Sequence, residues 1–250
     1  MGKCPSRSLQ IRYAAALGSG NNKLKKHIKN VIKAIAFRLP LSIYVPLCYA
    51  LHKKAIERAQ EHGNLRLHLG CGWTILDEWI NIDLKRNREI LTIRLPGGLR
   101  KFGDNSTSYI YSSHFLEHLD YRTEALDFVT ECYRLLDDGG VLRVAVPDIE
   151  KIINAYTRKN REFFNVQSEL HPSWCTTNLD HLMYALQQQG EHKYGYDFET
   201  AKILLKKGGF QKIVKSDFKK SDVKELVDID YWPYTDHNGE NLSLFIDAYK

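Results

Sequence analysis

Two glycines and an acid at fixed spacing pose the first chemical question. The run Leu65-Arg66-Leu67-His68-Leu69 alternates apolar residues and ends in Gly70-Cys71-Gly72. Eleven residues after Gly72, the short run Trp79-Ile80-Asn81-Ile82 ends in Asp83. Glycine lets a backbone turn sharply and lets a ligand lie against it, and a carboxylate after a second strand can accept bonds from both hydroxyls of a ribose. The pattern therefore reads as strand, glycine turn, strand and acid, a nucleoside pocket at the carboxyl edge of a parallel sheet. A dinucleotide fingerprint needs a third glycine where Ile75 stands, and no Gly-Lys-Ser/Thr ending of a phosphate loop occurs. A second group of reactive types is His114-Phe115-Leu116-Glu117-His118, which formally spells an inverted metalloprotease motif. That chemistry needs both histidines on one face of a regular helix, whereas this segment directly follows an apolar strand pattern.

The elements that must position these residues alternate along the chain. Strands are expected at 65–70, 79–84 and, weakly, 91–93, with a short turn or helix at 73–78 and a break at Pro96-Gly97-Gly98. A fourth strand covers 108–113. A helix over 122–136 carries Ala125, Phe128, Val129, Cys132 and Leu136 on one face. After the turn Asp137-Asp138-Gly139-Gly140, Val141 to Val146 suits a buried parallel strand. Helices and loops fill 148–195, and a helix over 198–208 stops at Lys206-Lys207-Gly208-Gly209. Strands at 210–214 and 242–248 close the chain as an antiparallel pair.

At 250 residues the chain holds one large α/β domain with an accessory segment, and 43% apolar residues argue against disorder. Five scattered cysteines without a C-x-x-C pair fit a reducing compartment, and no signal peptide is seen, so a cytoplasmic location is expected. The net charge of +6 is unevenly spread: residues 1–64 carry twelve Lys/Arg against two acids, the remainder 24 against 28. Residues 1–22 lack periodicity and read as mobile. From Lys23, Leu24, Ile28, Val31, Ile32, Ile35 and Leu39 fall at helical spacing among lysines, and Pro40 ends that helix. An uncharged stretch to Leu51 contains Pro46 and is too short to span a bilayer, and a polar helix follows to about Gly63. The basic leader 23–64 is read either as a helical lid or as a membrane-surface segment, with residues 23–54 as the peripheral contact. The domain proper runs over 65–250.

Leu69-Gly70-Cys71-Gly72 with Ile80-Asn81-Ile82-Asp83-Leu84 resembles motifs I and II of class I S-adenosylmethionine-dependent methyltransferases. The resemblance continues in order through Lys101–Ser106, the segment Ser112-Ser113-His114-Phe115-Leu116-Glu117-His118-Leu119, and Cys132–Asp148. It implies a Rossmann-like three-layer α/β/α sandwich whose seven-stranded sheet is mostly parallel with an antiparallel last strand. It also implies S-adenosylmethionine as cofactor. By the same resemblance, the backbone at Gly70, Cys71 and Gly72 meets the methionine portion, Asp83 holds the ribose and Leu84 packs on the adenine. Asp104 and Asn105 recognise the adenine amino edge, and Ser113 and His114 line the pocket. Many relatives carry an acid where this chain has His68, so a neutral histidine or a backbone carbonyl would hold the methionine amino group here.

Methyl transfer needs in-line approach, exclusion of water and often a base for the acceptor proton. His114, Glu117, His118 and His192 are the candidates, His192 from the loop Gly190–Asp197. Tyr196, Trp174, Trp232 and Tyr234 are either an aromatic wall for an acceptor or core. Some methyltransferases use an E-x-x-E-H metal site at the 114–118 position; here the first residue is His114 and no partner histidine is identifiable, so no metal ligand is assigned. The 65–249 pattern as a whole resembles bacterial methyltransferases associated with surface-polysaccharide synthesis, which makes a sugar hydroxyl or a small metabolite the expected acceptor. Nucleic acid is not an expected partner, because the basic charge lies in the leader rather than around the pocket. The rival readings are a non-catalytic binding module and an RNA methyltransferase anchored by the leader. Oligomeric state is not written in the sequence.

Overall fold

A computed structural model describes residues 39–61, 65–87 and 89–250, and Val45–Lys250 forms one compact unit. The expected mobile segment 1–22 and the amphipathic stretch 23–38 lie outside the described residues. That unit is organised on seven strands: β1 (Arg66–Leu69), β2 (Ile80–Asp83), β3 (Ile90–Thr92), β4 (Thr107–Ser113), β5 (Leu136–Pro147), β6 (Lys212–Ser216) and β7 (Ser243–Tyr249). Their order across the sheet is β3-β2-β1-β4-β5-β7-β6. The pairs among β1 to β5 are parallel, and β7 runs antiparallel to both β5 and β6. This is the mostly parallel sheet with one reversed strand that the family resemblance implies.

Helix α1 (Leu41–Glu61) precedes the sheet, and α2 (Glu124–Leu135) joins β4 to β5. Helices α3 (Ile149–Thr157), α4 (Arg161–Leu170), α5 (Asn178–Gln187) and α6 (Phe198–Lys207) lie between β5 and β6. Each of the last three begins on a polar cap: Asn160, Thr177 and Asp197 accept a bond from a backbone N–H of the first turn, and Thr177 with Asp180 forms a full capping box. Helices α2 and α6 pack side by side and against β5, β6 and β7. The contact is close because Gly208 and Gly209 lie where any Cβ would meet Val129 or Tyr133 within 2.8 Å.

Alternation gives the sheet one aliphatic and one polar face. Leu67, Leu69, Ile110, Leu142, Val144 and Ile246 are fully buried on the first. The second carries His68, Tyr111, Arg143 and Asp247, equally buried, and is covered by the connection 217–242. Arg143 pins that cover. Its guanidinium donates to both oxygens of Asp230 (3.0 and 2.7 Å), to Asp247 (2.7 Å) and to the Asp217 carbonyl (2.8 Å). Trp79, Tyr111, Val141 and Leu226 form the apolar cluster beside it.

One element differs from expectation. Pro46 does not interrupt the leader: α1 runs through it, and Ser42, whose carbonyl loses its helical donor to the proline, is an exposed residue. From Cys48 onward α1 serves the sheet edge. The Cys48 thiol donates to Ile90 O and accepts from Thr92 N, which caps the outward backbone groups of edge strand β3. The final strand pair is antiparallel as expected, joined by the long 217–242 connection. Among the described residues, no helix is long and apolar enough to cross a membrane.

Candidate active site at the carboxyl edge of the sheet

The turn after β1 is built on two left-handed glycines, Gly70 (φ 68°) and Gly72 (φ 57°). Gly70 N and Cys71 N both donate to Ile82 O at 2.9 and 3.1 Å, and Gly72 N donates to Asp83 Oδ2 at 2.9 Å. Asp83 Oδ1 accepts from Lys85 N at 2.9 Å, so one carboxylate ties together the loops after β1 and β2. The two glycines do different work. A Cβ on Gly70 would fall 2.3 Å from the Phe115 ring, so this residue admits a side chain from the β4 loop. A Cβ on Gly72 would meet nothing within 4 Å, which leaves bare backbone facing open space beside an acid with spare lone pairs. Leu84 and Trp73 stand exposed at the same edge, and Lys85 Nζ lies 5.3 Å from the Trp73 ring. The Cys71 thiol is no nucleophile: burial, with Asp83 nearby, pushes it up to about 12.

Three of the predicted cofactor residues are not brought to this edge. Asp104 and Asn105 precede β4, whereas Ser113 ends it; a seven-residue strand separates the two positions by about 20 Å. At that opposite edge Asp104 pairs with Arg134 at the end of α2, and Asn105 accepts from Lys250 Nζ at 2.7 Å. An adenine bound at Gly72 and Asp83 cannot be read from there. His68 points into the polar face, where it is 0% exposed, stacked on Tyr111 at 5.2 Å. Asn81 donates to the carbonyls of Leu76 and Trp79, so its Oδ1 is the acceptor that faces His68 Nδ1 at 3.0 Å. That sets the proton on Nδ1 and leaves Nε2 to accept from the Tyr231 hydroxyl at 3.4 Å. Burial lowers His68 to about 4, a neutral core residue that supports the Leu76–Asn81 turn.

The remaining residues do converge. Ser113 ends β4, buried, and His114 follows in the left-handed region at φ 52°, unusual for a bulky side chain and held by the bond from His114 N to Ala145 O at 2.8 Å. That backbone aims the imidazole across the sheet edge. Its Nε2 meets Ser243 Oγ at 2.9 Å and its Nδ1 stands 3.3 Å from Glu117 Oε1. Glu117 is wholly buried. Burial alone would push its carboxyl up, and His114 beside it, with His118 behind, outweighs that and holds it below the usual carboxylate range. Lys193 N and Tyr194 N donate to Glu117 O, and this latches the Gly190–Asp197 loop onto the site.

The latch delivers His192. Its Nδ1 is bound to Ala185 O at 3.0 Å, and His118 Nδ1 to Glu191 O at 3.0 Å. Both rings therefore carry the Nδ1 proton and present a free Nε2, and their centroids lie 5.0 Å apart. One ligand atom each of Glu117, His118 and His192 lies within 4.8 Å of the others, a donor set that fits a divalent cation. His192 is the partner that sequence spacing did not reveal. The aromatic candidates separate cleanly: Trp232 lies 5.3 Å from His114 with Tyr234 behind it, both exposed, while Tyr196 is core. Trp174 packs near Tyr184 instead. Ser243, Phe115 and Asn81 were missed, and for Ser243 no local signal exists, since it meets His114 from 129 residues away.

No protein-family model matches the chain, and no curated protein does either. Among solved structures it is similar to a SAM-dependent methyltransferase from Archaeoglobus fulgidus, at 17% identity over 79% of this chain and 94% of that one, TM-score 0.46. It is similar to a methyltransferase from Thermotoga maritima, a possible histamine N-methyltransferase, at 16% identity over 81% and 92%, TM-score 0.44. It is also similar to the Haemonchus contortus phosphoethanolamine N-methyltransferase 2 in complex with S-adenosyl-L-methionine, at 13% identity over 75% and 49%, TM-score 0.40.

Proposed function

We propose that this edge binds S-adenosylmethionine and methylates a hydroxyl of a sugar, glycan or small metabolite. The observation that carries the reading is the juxtaposition of an open backbone at Gly72, the Asp83 carboxylate and a His114–Glu117 pair on adjoining loops of one sheet edge. Asp83 has the geometry to accept a vicinal diol while its other lone pairs hold the glycine turn. The cofactor, when bound, supplies an electrophilic methyl group on a sulfonium. Glu117 fixes the Nδ1 proton of His114 and leaves Nε2 to take the acceptor's hydroxyl proton, the place Ser243 Oγ now fills. Trp232 and Tyr234 beside His114 offer an exposed aromatic wall on which a sugar face can stack.

A second reading of the chemistry rests on Glu117, a fully buried carboxylate whose one side-chain ion-pair contact among the described residues is His114 Nδ1 at 3.3 Å. Such a charge is costly unless paired, and a divalent cation held with His118 and His192 would satisfy it and activate the same hydroxyl. Turnover that survives a strong chelator decides for His114 acting alone. The cofactor reading is tested by calorimetric titration with S-adenosylmethionine and S-adenosylhomocysteine, with NAD as control. Micromolar binding that is lost in Asp83→Ala is expected, and absence of binding by both compounds overturns the enzyme reading in favour of a non-catalytic module.

A further inference from the structure

A separate donor cluster is built by the segment 171–181, which turns α4 into α5. His171 follows the last residue of α4, with its N–H on Gln167 O at 2.8 Å. Cys175 closes the next turn through Cys175 N to Pro172 O at 2.9 Å, and His181 sits in the first turns of α5. The capping box holds that end rigid. Asp180 Oδ2 accepts from Thr176 N and Thr177 N at 2.9 and 2.8 Å, while Thr177 Oγ1 accepts from Asp180 N. The two imidazoles face each other through Nδ1 atoms only 3.1 Å apart, and one ligand atom from each of His171, Cys175 and His181 lies within 4.8 Å of the other two. His181 stacks on Phe164, and His171 lies tilted against Tyr184 with ring centroids 4.7 Å apart.

We propose that His171, Cys175 and His181 form a zinc-class metal site that staples the α4–α5 turn. Two nitrogens on one tetrahedral zinc with bonds of about 2.0–2.1 Å stand about 3.3 Å apart, close to the spacing seen here. The donor chemistry agrees: two nitrogens and one sulfur are borderline-soft ligands, the kind that select zinc over magnesium or calcium. The site needs its histidines neutral, and burial, with His181 adjacent, brings His171 down to about 4; burial also lowers His181. Burial, together with Asp180, raises the Cys175 thiol, so the metal must displace the thiol proton: one Zn–S bond forms, one S–H bond breaks, and the proton leaves to solvent. Asp180 is committed to the helix cap and supplies no fourth ligand, which leaves water for that position. A direct hydrogen bond between two neutral imidazoles accounts for the 3.1 Å contact, but it gives no role to a buried thiol within reach of both.

The full-length protein, freed of metal, is titrated with Co²⁺ and then with Zn²⁺. One equivalent of Co²⁺ should bind with an intense near-ultraviolet thiolate-to-metal absorption that Zn²⁺ abolishes by displacement. Cys175→Ser, which is nearly isosteric, should lose that band and weaken Zn²⁺ binding at least 100-fold. His118→Gln, which alters the other donor set, should keep the band because that set has no sulfur. A band that survives Cys175→Ser, or cobalt uptake by the wild type with no thiolate band, overturns the proposal; so does failure of the wild type to bind either ion.

Discussion

His114 occupies a backbone conformation that bulky residues avoid, and the contacts that hold it there are the same ones that aim its imidazole. Its Nδ1 faces a carboxylate that would otherwise be stranded in the interior. The partnership is measurable without knowing the acceptor. In His114→Gln, Glu117 keeps its burial and loses its main stabiliser, so its pKa should rise well above the wild-type value, read by carbon NMR of the carboxyl group. An unchanged value would mean that His118 or a bound cation, rather than His114, holds the charge. At this scale Glu117, His118 and His192 are candidates from the sequence, and the structure joins them through a loop latched on the Glu117 carbonyl. Asp104 and Asn105, expected at the same pocket, precede β4 at its amino end, and His68 lies against the Tyr111 ring. An acid or a histidine looks the same in a string whether it ends at the open edge, at the opposite edge or under a ring.

The connection between β6 and β7 shows how an element without regular structure can be fastened. Residues 217–242 cover the polar sheet face chiefly through Arg143, which is fully buried and shared between Asp230 and Asp247. Breaking a buried ion pair by removing one partner leaves an uncompensated charge and costs about 3–5 kcal/mol. Asp230→Ala should therefore destabilise the protein by about that amount in urea unfolding. It should also loosen the Trp232–Tyr234 wall, seen as faster hydrogen exchange over 217–234. A loss under 1 kcal/mol would show that Asp247 alone satisfies the guanidinium. The strands and the helices α2 and α6 were legible because period and turn residues are local signals. This cover was not, since its hold depends on residues 74 to 87 positions apart meeting across the sheet. Pro46 within α1 belongs to the same class, its helix-breaking tendency overridden on an exposed stretch of the helix.

At the scale of the whole molecule, His68 makes folding stability depend on pH. Its pKa falls from the ordinary 6.5 to about 4 on folding, because burial excludes the charged ring. The unfolded chain then binds a proton between these values that the folded chain refuses. The stabilisation is complete above pH 6.5 and is lost progressively as the pH falls towards 4. From pH 6.5 to 5 this amounts to about 2 kcal/mol at 1.36 kcal/mol per unit. Urea midpoints compared at those two pH values should shift by that much more in the wild type than in His68→Gln. Equal shifts in both proteins would mean that the ring accepts a proton without unfolding.

What the sequence by itself determined is the succession of strands and helices, the reversed final strand, and the glycine turn that meets an acid after the second strand. Each is written in neighbouring residues, as alternation, helical spacing, caps and turn types. What only the tertiary structure decided is which of the reactive residues share a space. A parallel sheet collects the carboxyl ends of strands far apart in the chain at one edge and sends their amino ends to the other. His114 thereby meets Ser243, and His118 meets His192, while Asp104, only ten residues before His114, is carried the length of a strand away. Proximity at the site follows from strand direction and register, and no local pattern encodes either.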